Sequence, residues 1–99
     1  MARHDVYAAP EGGFYLLDLQ TDLLDGLATR VVAPLLPLDA APKPAAILNP
    51  VFEIEGAPHV MAAQFLSAVP ASILGRPVAN LSARAETITR AVDMVFQGF

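Results

Sequence analysis

Leu81-Ser82-Ala83-Arg84-Ala85-Glu86-Thr87-Ile88-Thr89-Arg90-Ala91-Val92-Asp93-Met94-Val95-Phe96-Gln97-Gly98-Phe99 closes the chain with a period found nowhere before it. Leu81, Ala85, Ile88, Val92 and Val95 step by four, three, four and three, which is one face of an α-helix. Ser82 is the predicted N-cap, because its hydroxyl can accept from a free backbone N–H of the first turn. Glu86 and Arg90 stand as an i,i+4 pair in the favourable order. Gly98 ends the pattern one residue before the last.

Upstream the pattern is that of strands. In Val51-Phe52-Glu53-Ile54-Glu55, Phe52 and Ile54 face one way and the two glutamates the other, the mark of a half-buried strand. Gly56-Ala57-Pro58 turns the chain, and His59 to Phe65 returns as a strand, with a helical reading of Ala62 to Phe65 in competition. Nearer the start, Asp5 to Ala9 and Phe14 to Gln20 form a predicted hairpin around Pro10-Glu11-Gly12-Gly13. Thr21 to Thr29 reads as a loop. Arg30 to Leu36 reads as a third strand, and the proline inside it, Pro34, predicts a sheet edge or a bulge. Asp39 to Pro50 is rich in alanine and proline and is either an ordered excursion or a mobile loop. Ala68 to Pro70 and Ile73 to Val78 are short extended pieces. The fold class is mainly β, with short antiparallel strands and one C-terminal α-helix.

Bulk properties narrow the function. Ninety-nine residues suit a single domain over 1–99, and 55% hydrophobic content with 16% charged argues against disorder. The surplus of apolar residues points to an oligomer interface. The six basic residues are scattered and the net charge is −4, which disfavours direct binding of nucleic acid. No cysteine is present, the start lacks the apolar core of a signal peptide, and no apolar run suits a membrane span, so the cytoplasm is the expected compartment.

Residues that could carry chemistry have plainer readings. Asp18, Asp22 and Asp25 lack calcium-loop spacing and read as a solvated loop face. His4 and His59 lie far apart, without the paired spacing of a zinc site, so neither metal nor cofactor is expected. Ser67, Ser72 and Ser82 lack a nucleophile-elbow context, and Gly12-Gly13 is a turn with no phosphate-loop lysine after it. These readings predict a binding protein, not an enzyme.

Several segments, in order, resemble the CcdB family over nearly the whole chain. Val6-Tyr7 resembles its first strand, and Asp18-Leu19-Gln20-Thr21-Asp22-Leu23-Leu24-Asp25 resembles its D-x-Q-[ST]-D-[IL]-[IL]-D segment. Arg30 to Leu35 resembles R-x-V-x-P-L. Ala68 to Gly75 resembles V-P-x-S-x-[IL]-G. Leu81-Ser82 and the helix after it, with Ile88, Ala91 and Met94-Val95-Phe96, resemble the family's end. The resemblance implies a small SH3-like barrel of the CcdB/MazF toxin type with a C-terminal helix, assembled as a homodimer. It implies a toxin of a type II toxin–antitoxin pair that inhibits DNA gyrase by binding its A subunit and trapping the cleaved-DNA complex. It also implies a CcdA-like antitoxin that releases gyrase. It places the gyrase contact at Gln97, Gly98 and Phe99, helped by Thr21, Leu23 and Leu24. Gln97 departs from the pattern, since it stands where the family's best-known member has tryptophan. An amide supplies neither the stacking face nor the desolvated bulk of an indole. Two alternatives therefore stand beside the gyrase poison: a non-toxic binding protein that has lost gyrase affinity, and a MazF/Kid-like ribonuclease on the same barrel.

Overall fold

The computed structural model describes residues Met1–Phe99. Its strands are β1 (Asp5–Ala8), β2 (Tyr15–Asp18), β3 (Thr29–Pro37), β4 (Val51–Ile54), β5 (Ala57–Met61), β6 (Ser67–Pro70) and β7 (Pro77–Asn80), followed by helix α1 (Ala85–Gln97). Single 3-10 turns at Asp22–Leu24, Ala63–Phe65, Ala71–Ile73 and Ser82–Arg84 fill four of the connections. The strands run antiparallel in the order β4-β5-β3-β2-β1-β7, with β6 also on β3.

β3 organises this sheet. Along one side it pairs with β2, from Tyr15↔Leu35 to Asp18↔Val32. Along the other it changes partner: Thr29 to Val32 pair with β6, and Leu35 to Pro37 pair with β5. The change curls the sheet into a half-barrel. It also corrects the expectation that Pro34 marks a sheet edge or a bulge, because β3 is paired on both sides and its register with β2 runs unbroken through Leu16↔Pro34. A residue's N–H and C=O point the same way from a strand. The Pro34 carbonyl accepts from the Ala62 N–H at 2.9 Å. Its missing N–H therefore falls in the gap where β6 gives way to β5, and no ladder bond is lost.

Alternate residues of the central strands bury on opposite faces. Val6, Leu17 and Ala33 join Leu35, Phe52, Ile54 and Met61 beneath the helix residues Ile88 and Ala91. Their chain neighbours Tyr7, Leu16 and Val32 form a smaller cluster with Ala9 and Leu74 on the other face. The predicted helix stripe packs as expected: Ile88 is wholly buried, and Leu81, Val92 and Val95 lie against the main core. The helix start is different. Ser82 to Arg84 form a 3-10 turn, α1 begins at Ala85, and no side chain caps it. The Ser82 N–H instead donates to Asn80 Oδ1 at 2.8 Å, so the side chain that serves the turn lies two residues earlier. Glu86 and Arg90 form no ion pair; the pairs present are both made by Arg30.

The segment from Asp39 to Pro50 is an ordered excursion. Buried Asn49 accepts from the Ala45 N–H at 3.1 Å and donates to the Met61 carbonyl at 3.1 Å and Gln64 Oε1 at 2.8 Å. The return from Glu55 is shared between the two competing readings: β5 ends at Met61, and Ala63–Phe65 make one helical turn. No helix is long and apolar enough to cross a membrane.

Candidate functional site

The tip of α1 is built by Gly98. With φ 79° it takes the left-handed conformation that closes many helices, and its N–H donates to the Met94 carbonyl at 3.1 Å. Two rings stand in solvent around this cap: Phe96 is 69% exposed and Phe99 81% exposed. Gln97 is exposed between them. Phe96 lies just off the buried stripe, which is the signal that could have placed it with the tip from the sequence.

The second predicted group, Thr21, Leu23 and Leu24, sits on the turn after β2. Thr21 Oγ1 accepts from the Leu23 N–H at 3.3 Å, and the Thr21 carbonyl accepts from the Leu24 N–H at 3.0 Å. Leu23 is thereby held 92% exposed, and Leu24 47% exposed. Gln20 fastens the turn from below: its amide donates to the carbonyls of Leu24 at 3.2 Å and Thr29 at 3.1 Å, and accepts from the Val31 N–H at 3.1 Å. No hydrogen bond joins this turn to the helix tip; it is tied to β3 and to the N-terminus.

The aspartates near this turn are not one solvated face. Asp18 is wholly buried and pairs with wholly buried Arg30, whose Nε–Oδ2 contact is 3.0 Å. Half-exposed Asp25 takes Arg30 Nη1 at 3.1 Å, and exposed Asp22 accepts from the Arg3 N–H at 2.8 Å. Burial works against the guanidinium charge, but the hydrogen bond and charge of Asp18, with Asp25 behind it, outweigh it and raise the Arg30 pKa. The D-x-Q-[ST]-D-[IL]-[IL]-D segment thus divides by role. Asp18, Gln20 and Asp25 anchor the turn on Arg30 and β3, and Leu23 is what the turn presents. A buried ion pair is invisible in a single sequence because its two halves sit on different strands.

His4 adjoins this network. It is buried, takes the rare φ of 72°, and its Nε2 has no partner. Burial and the charge of Arg3 lower its pKa against the pull of Asp18 and Asp22. Tyr7, beside Asp5, is pushed up to about 12 by burial and by the Asp5 and Asp18 charges.

Comparison with solved structures places this backbone among toxin folds. The Mycobacterium tuberculosis toxin MazF-mt6 superposes with a TM-score of 0.76 at 16% identity, over 93% of this chain and 95% of that one. An endoribonuclease from a mycobacterial species gives 0.77 at 14% identity, over 97% and 90%. An endoribonuclease in complex with its cognate antitoxin, also mycobacterial, gives 0.76 at 15% identity, over 97% and 94%. At these identities the likeness is one of fold. It nevertheless overturns the expectation that the chain is no enzyme, because that expectation took the missing motifs as exclusion, and this fold carries ribonucleases. General acid–base chemistry needs no short motif; a fold can assemble it from residues far apart in the chain. The CcdB protein family matches residues 3–98, and the chain accordingly belongs to that family, the toxins of toxin–antitoxin systems.

Proposed function

We propose that this toxin acts in the cytoplasm on DNA gyrase, binding its A subunit through the α1 tip and the Thr21–Leu24 turn, and that a CcdA-like antitoxin restrains it. The observation that carries the reading is the Gly98-capped tip, which leaves the Phe96 and Phe99 rings open to solvent. Glycine lets a partner backbone come close, since it has no Cβ. An exposed ring suits an arginine, whose planar guanidinium can stack on its face. Phe99 supplies at this end an aromatic that Gln97 does not.

The test is a gyrase cleavage-trapping assay on the intact protein, on a variant lacking Phe99 and on Gln97→Trp. Loss of Phe99 should abolish trapping while helix content and melting stay unchanged, since Gly98 and its cap remain. Gln97→Trp should raise potency. Full trapping by a chain ending at Phe96 would remove the tip from the mechanism. A second reading, RNA cleavage, is favoured by the likeness to endoribonucleases over nine-tenths or more of both chains. Incubating the same preparation with RNA separates the two: cleaved RNA with untouched gyrase selects the second. Inactivity toward both would favour a binding protein whose gyrase affinity went with Gln97.

A further inference from the structure

At the end of the sheet away from these residues in sequence, the β1–β2 and β4–β5 connections meet over a cleft. Glu55 and Gly56 form the two-residue turn between Ile54 and Ala57, with φ of 51° and 83°, the left-handed pair that matches strand twist. This turn aims Glu55 at Tyr15 on β2, whose hydroxyl donates to Glu55 Oε1 at 2.6 Å. The Tyr15 ring meets His59 of β5 edge to face, with centroids 5.0 Å apart. His59 Nδ1 lies 2.9 Å from the Ala57 carbonyl, which can only accept, so Nδ1 is the donor of that contact and the ring is held in place. Phe14 and the open backbone of Gly12 and Gly13 complete a cavity of about 270 Å³.

The cleft is one-sided in its chemistry. It offers a carboxylate, an imidazole and two phenyl-type rings, and no lysine or arginine lines it. Glu55 has no cationic partner in the protein, since both ion pairs belong to Arg30. The hydrogen bond to Glu55, with burial behind it, raises the Tyr15 pKa, so the phenol stays a donor that fixes the carboxylate. A second cavity that shares His59 adds Asp39 and again no lysine or arginine. Phosphate-bearing partners are repelled by such a lining. A planar cation that can stack on a ring and bond to a carboxylate is suited to it, and the net charge of −4 favours its approach.

We propose that the Tyr15–Glu55–His59 cleft binds a guanidinium group, the arginine side chain of a partner protein. None of its residues belongs to the helix tip or the Thr21–Leu24 turn, so the site stands whichever target those residues serve.

The test is an NMR titration of the intact protein with N-acetyl-arginine amide, following the Tyr15 and His59 ring resonances. Saturable shifts are expected with a Kd on the order of 1–10 mM, as befits one exposed contact. The uncharged isostere N-acetyl-citrulline amide should bind about tenfold more weakly, and Glu55→Gln should lose about tenfold for the arginine probe. Glu55 is exposed and glutamine keeps its shape, so an unchanged amide spectrum is the control for fold. Should that variant unfold, the arginine–citrulline contrast on the natural protein decides alone. Equal shifts with citrulline, no saturable shift up to roughly 50 mM, or the same resonances moving with inorganic phosphate would each overturn the proposal.

Discussion

Arg30 is among the largest wholly buried side chains of the protein, and it holds the end of β2 and the turn after it through Asp18, the Gln20 carbonyl and Asp25. A buried charge tolerates the interior only while its partner is present. Arg30→Ala strands Asp18 in the core and should destabilise the fold by roughly 3–5 kcal/mol, read from urea melts. Paired replacement of Arg30 and Asp18 by methionine and leucine should be far milder, since no lone charge is then left inside. His4 gives a prediction of opposite accent. Its folded pKa is lowered, so the unfolded chain binds the proton more readily. The sign follows: the stability His4 supplies is present above its ordinary pKa and is lost as pH falls toward the folded value. Melts at pH 7.5 and 5.5 should show that loss, and His4→Asn, which tolerates a positive φ, should flatten it. At this scale the sequence was least legible. Asp18 and Arg30 look like ordinary surface charges until β2 and β3 are laid side by side, and the fixed position of Glu55 depends on a tyrosine 40 residues away.

The elements were easier to read where periodicity rules. The α1 stripe is visible because burial on one face selects apolar residues at helical spacing, and Ile88 sits at its centre with no exposed surface. Ile88→Ala should therefore cost about 2–5 kcal/mol by thermal or urea unfolding. A loss under about 0.5 kcal/mol, the usual range for surface substitutions, would contradict the packing of α1 on the sheet. Element boundaries and the role of Pro34 were less legible. Capping at Asn80 rather than Ser82 depends on where β7 stops, which no local pattern records. A proline in a strand reads as an edge because it removes a donor. Only the exchange of β6 for β5 along β3 makes a central proline harmless, and that exchange is a property of the sheet. The tip was legible as far as Gly98, whose place after the last periodic residue is the usual helix stop, while the freedom of Phe96 follows from where the stripe ends.

As a whole the molecule measures 34 × 30 × 22 Å, with a radius of gyration of 12.5 Å, close to the roughly 13 Å of a folded chain this long. Its apolar residues overfill that volume. Phe65 and Ile73 remain exposed beside a groove that also involves Phe14, Leu16, Pro34 and Val69, on the face away from α1. A symmetric homodimer is the expected remedy, because a two-fold pair covers the same patch twice. Sedimentation at micromolar concentration should give twice the chain mass; a strict monomer would rule the pair out. The surplus of apolar residues was plain in the composition, but not which face carries it. The pairing of β1 with β7 has a further consequence, which concerns synthesis. Asp5 to Tyr7 ladder onto Pro77 to Asn80, and the Leu81 N–H closes on the His4 carbonyl at 2.9 Å. The first strand made thus waits for the last. Until Pro77 to Asn80 have been made the sheet lacks its seventh strand, and until α1 follows the core lacks Ile88 and Ala91. Contacts this distant in sequence form slowly. The seam between β1 and β7 is therefore among the last parts of the sheet to close.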